Sequence, residues 1–360
     1  PITYATAGRL NKLFLDLKSI REKFKWRHYF VSILWSNEAY LTPLLMHVFK
    51  GLFPYSEIGV ITYVHWIEIP EFNRLGNQYT GNWFMWMLAT TMYWSDYTFF
   101  NSHYGISLVE PYLRKFLRGD IYETIMSKTR PLYLGINVEE LDQYKTKDVF
   151  SEVTFVFNQR LMQYTGATKV IKTAMKLADE GYKFKLFLTN PSAHSIEFPY
   201  ANEKYKNRIV LLHGLPYSEY VRLLWKSDAV IAWHTGLQTG PEDRPVNQWT
   251  IALLEAVACN CYPIVHSAGF FSEMLPKEYL LEPNEKSLYN ALVSFIENPE
   301  YYRKKVTKVS NYVRERYDWR KVIDEWIKVY DEVQNKVRGR ASKPLGETVK
   351  KVVNLIERKG

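Results

Sequence analysis

The stretch NQWTIALLEAVACNCYP, residues 247–263 of a 360-residue chain, decides the predicted fold. It begins with polar residues, continues as a short apolar helix pattern and ends in a small-residue turn before a strand at 262–266. Leu253, Leu254 and Val257 lie at helical spacing and predict one buried face, and Glu255 interrupts their run. Polar backbone ahead of a helix suits phosphate, because free N–H groups and the helix dipole point there. An ordinary βαβ unit with Glu255 at a helix edge is the alternative interpretation.

The segments on both sides of this stretch alternate between strand-like and helix-like patterns. Short apolar runs predict strands at residues 29–35, 58–66, 97–101, 131–137, 153–157, 184–189, 209–213 and 229–233. Helical periodicity predicts helices at residues 10–24, 41–53, 82–94, 104–117, 167–180, 218–226, 285–297 and 300–316. Such alternation predicts an α/β fold in which parallel βαβ units build doubly wound sheets.

A polar, charged stretch at residues 138–148 interrupts the alternation. It separates two predicted Rossmann-like domains, residues 1–137 and 138–318, which are followed by an amphipathic helix at 319–337 and a basic tail at 338–360. Doubly wound sheets bind ligands beyond the carboxyl ends of their strands. The cleft between the two domains is therefore the predicted site.

The composition favours an anionic partner. The net charge is +9, and 16% of the residues are aromatic. Such a charge suits a nucleotide, a nucleic acid or an acidic membrane surface, although an ordinary basic protein has it too. The only cysteines, Cys259 and Cys261, lack zinc-site spacing and indicate buried thiols in a reducing compartment. We expect a cytoplasmic protein, since neither a signal peptide nor an apolar run long enough to span a membrane is visible.

Several common enzyme motifs are missing from the sequence. It contains no GxGxxG after an early strand, no P-loop, no HExxH and no GxSxG elbow. The polar residues that follow predicted strands are the remaining candidates. In the first domain these are His65, Glu68, Asn101 and His103. Asn101 with its neighbour Ser102 is also a plausible helix cap.

Five segments in order over residues 131–326 resemble the retaining GT-B glycosyltransferases, which use nucleotide-sugar donors. They are PLYLGINVEEL (131–141), FNQRLMQYTG (157–166), RIVLLHGLPYSEYVRLLWKSDAVIAW (208–233), NQWTIALLEAVACNCYPIV (247–265) and RYDWRKVIDEW (316–326). The resemblance implies a GT-B fold with two Rossmann-like domains facing across a cleft and a C-terminal helix crossing back. LLEAVACNCYP, FFNSHY and VHWIEIP further resemble the branch containing the tRNA-queuosine mannosyltransferases and phage sugar transferases.

The resemblance also implies roles for individual residues. Arg160 matches the arginine that holds the donor diphosphate, a task that suits a bidentate guanidinium. Glu255 matches the second glutamate of the E-x7-E block, which binds the donor ribose, and His65 matches a first-domain histidine near the transferred sugar. We therefore expect catalytic roles for His65, Arg160 and Asn247. The full set of predicted donor contacts is Arg160, Thr165, Lys169, Gly214, Leu215, His234, Asn247, Gln248, Trp249, Thr250 and Glu255, with Glu68, Asn101 and His103 on the acceptor side.

Two positions depart from the family pattern. Asn247 replaces the first glutamate of the E-x7-E block, and Thr165 replaces the phosphate-binding lysine. Lys169 is a substitute from the following helix, and Arg244 is a second source of positive charge. Without the usual lysine, Arg160 carries more of the stabilisation of the leaving diphosphate.

The sequence thus predicts a metal-independent, retaining glycosyltransferase with a UDP- or GDP-linked sugar donor and no other cofactor. The charge, the aromatic residues and the narrower resemblance favour a hydroxylated base in DNA or RNA as acceptor. Two alternatives stay open. One is a transferase of lipid-linked or surface glycans whose basic tail makes a peripheral membrane contact. The other is a non-catalytic nucleic-acid-binding protein on the same fold.

Overall fold

The computed structural model of the chain describes residues 33–36, 43, 46–47, 58–65, 67, 69, 78–146, 148–190, 204–234 and 249–341. The predicted helix at 10–24, most of the predicted helix at 41–53 and nearly all of the basic tail lie outside these residues. Residues 43, 46 and 47 are helical.

The first unit is built on a parallel sheet in the order β1-β2-β3-β4. Its strands are β1 (Ile33–Ser36), β2 (Gly59–Val64), β3 (Tyr97–Phe100) and β4 (Thr129–Pro131). The helices of this unit are α1 (Gln78–Trp94), α2 (His103–Phe116) and α3 (Gly119–Met126). All six residues of β2 are buried, as a strand covered on both faces requires. The predicted parallel alternation is confirmed here, and α3 adds a helix that the sequence pattern did not predict.

The predicted strand at 131–137 is wrong. Strand β4 ends at Pro131, and the chain after it leaves the sheet and runs toward the second unit. Ile136 instead forms an isolated bridge with Asp318. Gly135 lies so close to this contact that a Cβ atom would be 2.9 Å from the carbonyl oxygen of Tyr317. The apolar residues that suggested a strand are therefore packing residues of the connection between the units.

The second unit has a six-stranded parallel sheet in the order β10-β9-β8-β5-β6-β7. Its strands are β5 (Thr154–Arg160), β6 (Lys185–Asn190), β7 (Ile209–Leu211), β8 (Ala229–Ala232), β9 (Tyr262–His266) and β10 (Leu280–Leu281). This is the doubly wound Rossmann order, and its direction reverses between β5 and β8. That reversal places the expected ligand crevice beyond the carboxyl ends of these two strands.

Helices cover both faces of this sheet. They are α4 (Val138–Gln143), α5 (Ala167–Asp179), α6 (Tyr217–Lys226), α7 (Ile251–Ala258), α8 (Phe271–Met274) and α9 (Glu285–Glu297). Phe155 and Phe157 of β5 pack in one core with α5 and α9, whereas Val156 points into the other core with α7. The alternation follows from the two-residue period of a strand, which sends successive side chains to opposite faces.

Two long helices end the described chain, α10 (Pro299–Tyr317) and α11 (Trp319–Ala341). Helix α11 crosses back to the first unit, where Val329 and Val333 pack against Ile61 and Phe99. It extends four residues past the predicted end at 337, which is within the usual uncertainty of helix boundaries. None of the helices within the described ranges is long and apolar enough to cross a membrane.

Candidate functional site

The central feature of the second unit's ligand edge is Arg160, the last residue of β5. An irregularity in the pairing of β5 with β6 falls between Phe157 and Arg160, so the strand changes register just before the arginine. Its side chain is exposed, and within the described parts of the chain no hydrogen-bond or ion-pair partner faces the guanidinium. An exposed, unpaired arginine at the reversal point of the sheet can bind an anion.

The loop that follows Arg160 is held in one conformation by Thr165. Its buried hydroxyl donates toward the carbonyl oxygens of Arg160, at 2.6 Å, and Met162, at 2.7 Å. Thr165 therefore braces the loop rather than supplying the positive charge of the lysine that it replaces. Its predicted contact with the donor stays a prediction.

Gly166 presses this loop against the end of β8. Its φ is +74°, and a Cβ atom there would be 1.7 Å from the carbonyl oxygen of Trp233, so only glycine fits. Helix α5 starts directly afterwards without a side-chain N-cap. Its first-turn N–H groups and dipole thus favour an anion beside Arg160. Lys169 lies in that first turn, with its Nζ 3.8 Å from Glu285 Oε1.

Glu255 is half-buried and accepts hydrogen bonds from two tyrosines of α6. Tyr220 Oη donates to Oε2 at 3.0 Å, and Tyr217 Oη donates to Oε1 at 3.3 Å. Burial raises the pKa of Glu255, and the two hydroxyls oppose that rise. Burial likewise raises the pKa of Tyr220, which keeps its hydroxyl protonated as a donor. The predicted ribose-binding carboxylate is therefore held in a defined position.

The buried side-chain amide of Asn158 holds Tyr220 in position. Asn158 Nδ2 donates to Tyr220 Oη at 3.0 Å and to the carbonyl oxygen of Ala252 at 2.7 Å. Asn158 lies on β5 and Ala252 on α7, so this amide joins the strand to the helix that carries Glu255. The sequence pattern gave no sign of Tyr220 as a site residue, because its pairing with Glu255 spans 35 positions.

His234 is a neutral, buried part of the same polar region. Burial, and then the neighbouring His266, lower its pKa to about 3. Its Nε2 is 3.3 Å from Gln159 Oε1, which also accepts from the Thr250 hydroxyl at 2.9 Å. Rings of Phe270 and Phe271 pack edge-on against the imidazole. His234 and Thr250 thus brace the crevice through Gln159, and their predicted contact with a donor stays a prediction.

Trp249 lies in the packing between the units. It is buried, and its ring stacks on Tyr133 at a centroid distance of 5.0 Å and meets Tyr317 edge-on at 5.6 Å. Its Nε1 donates to the carbonyl oxygen of Leu134 at 3.3 Å. Both the ring and the indole N–H are thus engaged by protein, and the predicted donor contact of Trp249 stays a prediction.

The structure describes only some of the remaining predicted donor residues. Gly214 is exposed in the loop between β7 and α6 with φ +59°, and Leu215 packs partly against the core. Asn247, Gln248 and the alternative charge Arg244 lie outside the described residues. Glu68 of the acceptor side also lies outside them.

His65 and Asn101 lie at the carboxyl ends of β2 and β3, and their predicted roles in catalysis and acceptor binding stay predictions. His65 is exposed just after β2. Asn101 is fully buried, and its Nδ2 donates to the carbonyl oxygen of His65 at 3.4 Å. Ser102 caps α2 by accepting from the Gly105 N–H at 3.0 Å, which confirms the predicted helix cap. Asn101 thus holds the backbone that carries His65.

The aromatic side chains of α1 do not pack as expected. The sequence predicts that Trp83, Trp86 and Trp94 pack the helix against the sheet, with an aromatic platform for the acceptor as the alternative. They are 44%, 48% and 55% exposed. Met85, Leu88, Ala89 and Met92 make that contact instead. The indoles consequently form an exposed aromatic surface of the first unit.

A metal site is not apparent in the part of the chain that the structure describes. No group of three or more His, Cys, Asp or Glu side chains there could hold a metal ion.

Solved structures with the same architecture are glycosyltransferases. A glycosyltransferase from Rickettsia africae superposes with a TM-score of 0.62 at 14% identity, covering 92% of this chain and 84% of that one. A UDP-forming alpha,alpha-trehalose-phosphate synthase from Burkholderia xenovorans superposes with a TM-score of 0.61 at 8% identity, covering 87% and 76%. The chain therefore has the GT-B fold, as the sequence predicts.

A curated relative is also similar in sequence. It is a tRNA-queuosine alpha-mannosyltransferase from Drosophila melanogaster, 24% identical over 255 residues. The match covers 66% of this chain and 65% of the relative, which is less than two thirds of the relative's length. No protein-family model matches the sequence.

Proposed function

We propose that this chain is a retaining glycosyltransferase that moves a sugar from a nucleotide-sugar donor to an acceptor hydroxyl without a metal ion. The GT-B fold provides the setting for such a reaction. Within it, the second unit would hold the donor, and the first unit would present the acceptor. The nucleotide would be a UDP or GDP diphosphate.

One observation carries the proposal, the open guanidinium of Arg160 beside an uncapped helix. Arg160 is exposed at the reversal point of the sheet, next to the N-terminus of α5. A diphosphate placed there would accept hydrogen bonds from the guanidinium and from backbone N–H groups. Lys169 adds a cation to the same turn. This arrangement supports diphosphate binding without the lysine that Thr165 replaces.

Glu255 supports the nucleoside end of the donor. Its carboxylate is oriented by the hydroxyls of Tyr217 and Tyr220, and each of its oxygens retains room for a further hydrogen bond. Ribose hydroxyls are natural donors to such a carboxylate. The exposed loop at Gly214 and Leu215, next to the start of α6, would lie near the base.

The proposed reaction retains the configuration of the anomeric carbon. The anomeric carbon–oxygen bond to the diphosphate breaks while the acceptor oxygen forms a bond to the same face of the anomeric carbon, which retains its configuration. The acceptor proton passes to the departing diphosphate oxygen. Arg160 and the N–H groups of α5 stabilise the charge that develops on that diphosphate. His65 lies at the facing edge, and Asn247 would bind a hydroxyl of the transferred sugar.

We further propose that the acceptor is a hydroxyl group on a base in RNA or DNA. The net charge of +9 and the exposed indoles of α1 support it, because bases stack on aromatic rings and phosphates attract cations. The Drosophila relative, named for tRNA-queuosine, supports RNA in particular.

A nucleotide screen tests the donor proposal. UDP, GDP and their sugars are added to the whole chain, and the melting temperature is measured. Binding to the native state raises the melting temperature by mass action. At a ligand concentration of 100 times Kd, the free energy of unfolding increases by about 2.7 kcal/mol. A melting temperature that none of these nucleotides changes would contradict the donor proposal.

A transfer assay tests the acceptor. Radiolabelled UDP- and GDP-sugars are incubated with total tRNA, genomic DNA or a lipid extract, and the label in each fraction is counted before and after nuclease digestion. We expect label in the RNA fraction that nuclease releases. Label confined to the lipid extract would contradict a nucleic-acid acceptor, and nucleic-acid binding without any transfer would contradict catalysis.

A further inference from the structure

One of the contacts between the two units is made by a carboxylate, Glu273. It belongs to α8 of the second unit, and it reaches the start of α2 in the first. Its Oε2 accepts from the His103 N–H at 2.8 Å, and its Oε1 accepts from the Tyr104 N–H at 2.6 Å. Both carboxylate oxygens are thus bound to adjacent backbone N–H groups of the other unit. We call this contact the Glu273 clasp.

The clasp completes the N-terminus of α2. The first four N–H groups of a helix have no partner within the helix. Ile106 N–H makes the first bond within the helix, to the Ser102 carbonyl oxygen at 3.4 Å. Of the N–H groups before it, that of Gly105 donates to the Ser102 hydroxyl, and those of His103 and Tyr104 donate to Glu273. A carboxylate also suits the positive end of the helix dipole.

Two tyrosines outside α2 orient Glu273 for this contact. Tyr133 Oη donates to Oε2 at 3.2 Å, and Tyr317 Oη donates to the carbonyl oxygen of Glu273 at 3.0 Å. Both tyrosines pack against Trp249. The carboxylate is therefore oriented by a packed aromatic cluster formed by the connection between the units, α10 and Trp249.

The clasp ends next to the predicted acceptor residues. His103 and Tyr104 directly follow Asn101 and Ser102 in the chain, and Asn101 holds the backbone of His65. We infer that Glu273 is a positioning residue, which sets the acceptor edge of the first unit at a fixed place relative to the donor edge of the second. The inference rests on the proposed function for its catalytic consequence. The contact itself is independent of it.

The inference has a specific kinetic consequence. Donor groups lie in the second unit, so loss of the clasp leaves nucleotide affinity unchanged. The acceptor oxygen is then poorly placed, and a misplacement of about 1 Å costs about 100-fold in rate. Transfer therefore falls while donor binding persists, and a larger share of the donor is hydrolysed by water.

The test compares Glu273→Ala and Glu273→Gln with Glu278→Ala, all in the full-length chain. Glu278 is an exposed carboxylate nearby that pairs with Lys308 of the same unit. Three quantities are measured: nucleotide Kd by calorimetry, kcat and KM for transfer with the ratio of transfer to hydrolysis, and hydrogen exchange of the peptide containing residues 103–104. Tyr133→Phe, which removes one hydrogen bond to the carboxylate, is a milder fourth variant.

For Glu273→Ala we expect unchanged nucleotide Kd, a kcat for transfer lower by about 10- to 100-fold and faster exchange at residues 103–104. Gln has one acceptor oxygen, so Glu273→Gln should fall between alanine and wild type. Glu278→Ala should behave as wild type. Wild-type kcat in Glu273→Ala, or a nucleotide Kd that weakens in parallel with kcat, overturns the positioning role.

Failure of the proposed function gives a different result. A wild-type chain that binds no nucleotide and transfers no sugar overturns that function. In that case hydrogen exchange still tests the contact made by Glu273. Unchanged exchange at residues 103–104 in Glu273→Ala overturns the contact, and faster exchange supports it.

Discussion

The donor edge and the acceptor edge of the cleft are stabilised in different ways. At the donor edge, Asn158, Gln159, Thr250 and Tyr220 form hydrogen bonds within the second unit, whereas the exposed Arg160 guanidinium has no side-chain partner among the described residues. At the acceptor edge, the first turn of α2 depends on Glu273 of the other unit. The donor edge is therefore self-contained, whereas the acceptor edge acquires its position only when the two units meet.

This difference predicts where mutations act. Changes at the donor edge should alter nucleotide binding or the stability of the second unit. Changes at the clasp should alter transfer and the hydrogen exchange of residues 103–104, and should leave nucleotide binding unchanged. The four predictions below test the donor side of this contrast, from the largest expected effect to the smallest.

Arg160→Ala should have the largest effect, because it removes the open charge at the reversal point of the sheet. We expect kcat for transfer to fall by about 10²–10³-fold, as when a single donor to a developing negative charge is removed. Steady-state kinetics and nucleotide calorimetry measure the change. Arg222→Ala is the matched control, since Arg222 is also exposed in the second unit. Equal activity in the two variants would contradict the donor site.

Gly166→Ala should destabilise the second unit strongly. The methyl group meets the Trp233 carbonyl oxygen at 1.7 Å, and the left-handed backbone adds a cost of about 1–2 kcal/mol. We expect a total loss of roughly 3 kcal/mol or more in the free energy of unfolding, measured by urea denaturation. Gly214→Ala is the control, because it shares the positive φ but has nothing within 4 Å of the added atom. Similar losses in both would show that the close approach to β8 contributes nothing.

The buried His234 should make the protein sensitive to moderate acid. Its pKa is lowered from 6.5 to about 3, so below pH 6.5 the unfolded chain binds a proton that the folded chain does not. The stability that His234 contributes is therefore full above pH 6.5 and falls with pH toward 3, by about 1.4 kcal/mol per pH unit.

His234→Gln tests this pH dependence while keeping an amide N–H for Gln159. Urea denaturation between pH 7 and pH 5 should give a shallower loss of stability than in wild type, by about one proton. If the free energy of unfolding fell equally with pH in the two proteins, the neutral state of His234 would be contradicted.

Tyr220→Phe should have a smaller effect, on donor affinity. It removes a hydroxyl that donates to Glu255 and accepts from Asn158, and a buried amide loses one partner. We expect about 1–3 kcal/mol less stability and a higher KM for the donor with little change in kcat. Tyr217→Phe is the control, since Tyr217 is 40% exposed and its bond to Glu255 is longer. A larger effect in Tyr217→Phe would contradict the role of the buried pair.

The fold was predictable from the sequence to a large extent. Apolar runs such as that of β2 and the first half of β5 can be recognised in the sequence, because a strand buried on both faces is mostly apolar. The strand predicted at 131–137 was wrong for the same reason, since a connection packed between two units is apolar as well. The sequence predicts that the indole rings of α1 pack against the sheet, yet Met and Leu at neighbouring positions make that contact.

The candidate site was predictable only in part. Arg160 and Glu255 follow from motif position, whereas the support beneath them does not. Tyr220 lies 35 residues from Glu255, and Gln159 lies 91 residues from Thr250. Such pairings produce no periodic pattern in the sequence, because each depends on which two elements come into contact after folding.

The sequence by itself determined the two parallel α/β units and the residues available to hold a donor, since strand and helix periodicity are local properties of the chain. Tertiary structure alone decided which polar groups of the donor edge form hydrogen bonds within the protein and which are available to a ligand. It also brought Glu273 to an N–H group 170 residues away. A contact of that kind depends on the relative placement of two packed units, which no local pattern encodes.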